Sequence, residues 1–386
     1  MDLVLFNRLT ETTGPFASVT IDLTHTDPAT SDRHEARWRD LEGRLRGAGA
    51  PDDVVERVAE AALEPSGQGG ECGRLVVANT DGVLLAQDLP RRPEPDAAWG
   101  PVPSLLAAVH AVAGYLPHVV VTLDRTGADV EVRRGPDDGA RGQVLEVSGD
   151  HDELHRVQSG GMAQRRFQAR VEDSLEHNAA RVAEELDRIV RANRPASVVL
   201  MGDEKAMSFL EEHASAELRS VLARVSTGGR GDGTSEHLIR EATESVLART
   251  RAELEAGIVD RFEEQSGRAE AASEGLESVV DVFQRAQVEE LLLIEGREHE
   301  QQLWVGEDGL QLGVSREDAK ALGADDPVLV PADAALVWAA VCSRAGVTLL
   351  DSGQANPADG VAALLRWSDE STPRARVPSM PGHGGT

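Results

Sequence analysis

The chain has 386 residues and carries 67 Asp and Glu against 39 Lys and Arg, a formal net charge of −28. That balance excludes a general nucleic-acid binder, whose electrostatic footprint is basic overall, and two cysteines far apart in sequence, Cys72 and Cys342, exclude a structural zinc site or a disulfide framework. No apolar run approaches the roughly 20 residues of a membrane span, and MDLVLFNRLTETTG has no signal-peptide pattern, so a soluble cytoplasmic protein with reduced thiols and no membrane partner is expected.

The length predicts about two to three domains. FASVTIDLTH (16–25) alternates β-branched residues and predicts a strand. Trp38, Leu41 and Leu45 fall at helical spacing and predict a helix over 33–47, followed by a second over 52–63. SGQGGECG (66–73) reads as a flexible loop before strands at 74–79 and 82–89, and the Pro-rich stretch 91–103 as a surface connection. A short helix near 105–113 closes a first α/β domain, residues 1–115.

A middle domain is expected over 116–265. Two strands flank Arg125-Thr126-Gly127 as a hairpin, and a further strand is expected at 143–147. A long helix follows, with Phe167, Val171, Leu175, Asn178, Val182, Leu186 and Ile189 recurring every three to four residues. Asn178 is the polar exception in that stripe, and Pro195 ends the helix. SVVLMG (197–202) reads as a buried strand, residues to about 222 as helices, and STGGRGDG (226–233) as a loop. A charged helix over 235–264 is expected to link domains.

The third α/β domain, residues 266–370, is expected to contain helices at 275–286 and 332–344 and strands at 288–296, 301–306 and 347–351, with GVAALLRW (360–367) closing it. Residues 371–386 read as a disordered tail. The fold class is therefore three α/β domains.

Enzyme motifs are sparse. Neither lysine, Lys205 nor Lys320, follows a glycine, so a P-loop is excluded. There is no Gly-x-Ser-x-Gly elbow. HDELH sets His151 and His155 four apart around Glu153, but the Glu is misplaced for a zinc-protease pattern, and solvated loop histidines are the better reading. No metal and no cofactor are expected.

One stretch departs from the acidic background. From Leu154 to Val171 there are four arginines, Arg156, Arg165, Arg166 and Arg170, and no acid. Gly160 and Gly161 precede three of them and permit a close backbone approach to another molecule. Helix starts favour acids, so arginines there carry a local cost that contact with phosphate would explain. The alternative is a glycine loop whose helix happens to begin with arginine.

Gly160-Gly161-x-x-Gln-x-Arg-Phe, running into a helix with Glu172 and His177-Asn178, resembles the catalytic-loop region of archaeo-eukaryotic class I release factors. QVEELLLIEG resembles the C-terminal domain of release factors and Pelota, a fold shared with RNA-binding ribosomal proteins. GPFASVTIDL, TGADVEV, ADAALVWAA and DGVAALLRW are similar to a bacterial branch of the superfamily, common in actinobacteria, some members of which resemble ribosome hibernation factors. The resemblance covers most of the chain.

It implies a translation factor that enters the ribosomal A site and carries the 159–170 loop to the peptidyl-transferase centre, in hibernation or rescue. Gly160, Gly161, Arg165, Arg166 and Arg170 would contact rRNA or tRNA, and a translational GTPase such as elongation factor Tu would be a partner. It also implies an alternative, peptidyl-tRNA ester hydrolysis. Met162 stands where the family has its catalytic Gln, and Gln164 lies two residues later, so Gln164 and the Met162 backbone amide are the candidate catalytic groups. The N-terminal domain carries no recognisable stop-codon-reading motif.

Overall fold

The computed structural model describes residues 3–24, 30–65, 71–135, 143–148, 161–226, 236–268, 270–295 and 301–373. The fold class is α/β, as expected, but contacts group the chain into two compact units. One is Gly114–Glu253; the other combines Met1–Ala113 with Leu254–Thr386.

In the combined unit, β1 (Phe16–Asp22) is buried at all seven positions. It pairs antiparallel with β2 (Gly73–Ala78) and with β4 (Asp96–Gly100), and β2 pairs with β3 (Val83–Leu89), giving the order β3-β2-β1-β4. β4 lies inside the stretch expected as a bare connection. Its prolines, Pro93, Pro95, Pro101 and Pro103, flank the strand rather than interrupt it, as an edge strand allows. One sheet face packs Val19, Ile21 and Val76 against Trp38, Leu41 and Leu45 of α1 (Thr30–Gly47) and Val54, Val55 and Val58 of α2 (Asp52–Leu63).

The other face, with Phe16, Leu75 and Val77, joins α3 (Leu106–Val112) in one apolar core with the C-terminal segment. That core includes α8 (Leu276–Gln284) and α10 (Ala332–Ser343). A helix apolar on all sides must be wrapped. α10 is such a helix, buried at Ala332 and at every position from Ala334 to Val341. The N- and C-terminal segments expected as separate domains thus share a core, and the Phe16 and Trp338 rings meet edge-on at 5.7 Å.

The C-terminal segment has a sheet of order β10-β16-β11-β15, built from β10 (Ala272–Glu274), β16 (Val361–Leu365), β11 (Val288–Ile294) and β15 (Gly346–Leu350). It also has a small antiparallel sheet of order β13-β12-β14, from β13 (Leu312–Gly313), β12 (Gln302–Val305) and β14 (Val328–Pro331). α9 (Arg316–Ala321) begins on a Ser315–Asp318 capping box. Residues 371–373, expected as the start of a disordered tail, are anchored instead. Arg285 donates to the Ser371 carbonyl at 2.9 Å, and Gln287 donates to the buried Thr372 hydroxyl at 2.9 Å. The remainder of the tail lies outside the described residues. Neither cysteine forms a disulfide; Cys72 is buried and Cys342 only partly so.

Gly114–Glu253 forms a three-layer unit. Its sheet has the order β7-β6-β5-β8-β9, from β5 (His118–Leu123), β6 (Gly127–Arg133), β7 (Gln143–Ser148), β8 (Ser197–Gly202) and β9 (Leu222–Val225). β5, β8 and β9 run parallel; β6 and β7 are antiparallel additions. Val119, Val121 and Leu123 face α4 (Gly161–Asn193), α5 (Glu204–His213) and α6 (Ala216–Val221). Val120, Val199 and Met201 face Ile239 and Val246 of α7 (Glu236–Arg268). This alternation is the period of two that β-structure imposes. α4 supplies the crossover that a parallel β5–β8 pair requires.

Candidate functional site

The candidate site is the N-terminal part of α4. The helix begins at Gly161, so Gly161, Met162 and Ala163, expected as the end of the glycine-rich stretch, form its first turn, and Arg165, Arg166 and Arg170 lie just inside it as expected from the sequence. Met162, Ala163, Gln164, Arg165 and Arg166 are all good helix formers, and only the glycine at the start opposes helix. Gly160 lies outside the described residues. So do HDELH, Ser66–Gly70 of the first glycine loop, and all of STGGRGDG beyond Ser226.

A helix of 33 residues is about 50 Å long, whereas β5 and β6, of six and seven residues, span about 20 Å. α4 is therefore longer than the sheet beneath it. Its described core contacts run from Leu175 through Ala179, Val182, Ala183, Leu186 and Ile189 to Val190. Gly161 stands fourteen positions before Leu175, about 21 Å along the axis. Met162, Gln164, Arg165, Arg166 and Arg170 all lie in that leading part.

The amides of Gly161, Met162 and Ala163 are among the N–H groups that a helix start leaves without an intrahelical acceptor. They carry the positive end of the helix dipole.

The helix is held by a polar joint. Asn178, 6% exposed in the apolar stripe, donates from Nδ2 to the Arg125 carbonyl at 3.1 Å. Arg125 sits in the β5–β6 turn, where the Asp124 carboxylate accepts from the amides of Thr126 at 2.7 Å and Gly127 at 2.9 Å. The Arg125 guanidinium reaches Asp203 at 3.1 Å. Asp203 in turn caps α5 by accepting from the Lys205 and Ala206 amides at 3.0 and 3.1 Å. Burial alone would raise the Asp203 carboxyl. The bonds it accepts from Ala206, Arg125 and Lys205 hold it below the ordinary carboxylate value instead.

α4, the β5–β6 turn and the start of α5 therefore meet at the C-terminal ends of β5 and β8. Gly202 closes this junction with φ +132°, and a Cβ there would overlap the Leu123 carbonyl. The sequence reading missed the joint, although Asn178 in an apolar stripe was its signal.

Residues 117–268, from the start of β5 to the end of α7, match the model of the bacterial archaeo-eukaryotic release factor family 2. Over that segment the chain is similar to bacterial release-factor and Pelota-like proteins. This release-factor-like chain is 26% identical over 367 residues to an uncharacterized protein of Mycobacterium tuberculosis, covering 92% of this chain and 94% of the relative. It is 25% identical over 211 residues to a Pelota homologue of Natronomonas pharaonis, covering 53% of this chain and 58% of that protein. Among solved structures it is similar to the archaeal termination factor aRF1, at 15% identity and a TM-score of 0.26 over 94% of this chain and 96% of the other. It is also similar to Archaeoglobus fulgidus Pelota, at 16% identity and a TM-score of 0.33, covering 76% and 80%. No described helix is long and apolar enough to cross a membrane, and no described group of His, Cys, Asp and Glu could hold a metal ion.

Proposed function

We propose that this protein is a ribosome-associated translation factor. In this reading it enters the A site and carries the start of α4 to the peptidyl-transferase centre of idle or stalled ribosomes. The observation that carries the reading is the length of α4: a 33-residue helix whose described core contacts begin at Leu175 and whose leading part carries Gly161, Arg165, Arg166 and Arg170. The family match over 117–268 supports it. Guanidinium groups at that end would bind RNA phosphates, and the glycines would permit close approach.

The test is co-sedimentation with ribosomes across a salt series. Arg165, Arg166 and Arg170 all changed to Ala should abolish salt-sensitive pelleting. Where residual binding persists, the slope of log affinity on log salt should fall by roughly two to three. Pelleting indistinguishable from the unmodified chain would refute the reading.

A second reading, ester hydrolysis at peptidyl-tRNA, draws on the Met162 amide at the helix start. In this reading the amide would stabilise the developing oxyanion while Gln164 positions the attacking water. Release of labelled peptide, lost in Gln164→Ala, is its expected signature. Ribosome binding without release favours protection of the idle ribosome. The GTPase partner would be read from the same pelleting experiment with elongation factor Tu added.

A further inference from the structure

The small β13-β12-β14 sheet carries a surface that the α4 reading leaves unused. Four of the large aliphatic side chains exposed among the described residues, Val314, Leu322, Val328 and Leu329, fall between positions 314 and 329, at 38–44% exposure. Scattered exposed aliphatics need no explanation, but a concentration on and beside one small sheet does.

The register says how the sheet is oriented. Leu303 pairs with Val330, and both are buried; Trp304 pairs with Leu329, so those two side chains share the outer face, whereas Val328 alternates to the inner side and is exposed at the strand's end. Gln284 of α8 donates to the Leu312 carbonyl at 2.8 Å and ties the sheet to the core of its unit. The Arg316 guanidinium lies 5.6 Å above the Trp304 ring centroid and pairs with Asp326 at 2.6 Å. The outer face therefore presents an indole edge and Leu329 beside a guanidinium already engaged on two sides.

The rim is acidic. Glu307, Asp308, Glu317, Asp318, Asp325 and Asp326 are all exposed. Glu307 and Asp308 follow the end of β12, and Asp325 and Asp326 precede the start of β14, whose first residue, Val328, pairs with Val305, the last of β12. Like charges side by side are unfavourable, and Arg316 relieves only Asp326. Such a rim repels phosphate and attracts cationic side chains.

We propose that this face docks a basic segment of a partner protein. An aliphatic or aromatic side chain of that segment lies over Trp304 and Leu329, and its Lys or Arg side chains face Glu307, Asp308 and Asp325. β14 is the outer strand of its sheet, but Pro331 limits it as a pairing edge, so side-chain contacts rather than strand addition would hold the segment. The docking face stands whether or not the chain binds ribosomes.

The test uses the full chain and a fluorescein-labelled 15-residue peptide of mixed Lys and Leu, followed by anisotropy, with an all-Lys peptide and a mixed Glu and Leu peptide beside it. Binding of the Lys and Leu peptide above both others is expected. Leu329→Asp adds a negative charge, so purely electrostatic capture would strengthen; docking as proposed should weaken by about tenfold or more, the size of a lost hot-spot contact. Leu63→Asp, on an exposed aliphatic of α2, should leave affinity unchanged. Glu307→Lys with Asp325→Lys should weaken binding without touching the apolar face, and far-UV circular dichroism verifies the fold of each variant. Equal binding of the all-Lys peptide, or no loss in Leu329→Asp, overturns the proposal. So does a tenfold gain on removing residues 374–386, which would make the chain's own Arg374–Met380 stretch the occupant.

Discussion

Two residues at the ends of the parallel strands show how little freedom the release-factor-like unit has. Gly202 combines a positive φ with direct backbone contact, so Gly202→Ala meets both a disfavoured conformation and an overlap with the Leu123 carbonyl. A loss of about 3 kcal/mol or more in urea unfolding is expected; a cost below about 1 kcal/mol would mean the strand end shifts freely. His118, at the opposite end of β5, has its imidazole pushed below the usual histidine value by burial, against the raising effect of the Leu116 carbonyl 2.7 Å from Nδ1. The fold therefore favours the neutral ring. Its contribution to stability is complete above the ordinary value of 6.5 and is lost as pH falls from there through the lowered folded value. Asp203 acts later in the same direction, below its ordinary 3.8. Thermal melts between pH 7 and 5 should show a falling midpoint that His118→Gln flattens. An equal slope in both proteins would show that His118 does not govern this range.

At the scale of elements, a side-chain amide ties α4 to the β5–β6 turn. Asn178→Ala removes the bond to the Arg125 carbonyl and should lower stability by about 1–2 kcal/mol. It should also reduce hydrogen-exchange protection in the β5–β6 turn; unaltered protection there would mean the turn holds itself through Asp124. The long helix, the hairpin and SVVLMG were legible in the sequence because each is periodic and bounded by turn residues or proline. Several short elements were not. β9 follows α6 without a break, and β4 hides among four prolines. β13, α9 and β14 are two to six residues each, too short for any period to show. The joint at Asn178 was not legible, because its partners are far apart in sequence: Arg125 lies 53 residues from Asn178 and Asp203 lies 78 from Arg125.

Over the whole molecule, charge and core are divided differently from the sequence order. Gly114–Glu253 holds 25 acidic and 19 basic residues, and the rest of the chain 42 and 20. The acidity that argues against a general RNA binder thus resides mainly in the combined unit, and the start of α4 belongs to the less acidic one. The combined unit owes its coherence to α10, which has no polar side to turn toward water. Trp338 sits on this helix at 3% exposure, against Phe16 of β1. Trp338→Ala should therefore cost about 3–5 kcal/mol, and the damage should cross the chain. Amides of β1 and β2, more than 250 positions away in sequence, should lose hydrogen-exchange protection together with those of β11 and β16. Loss confined to the C-terminal strands would show that residues 1–113 hold a core of their own. Loss in both would make the N-terminal segment a fixed part of the C-terminal platform rather than a separately moving arm.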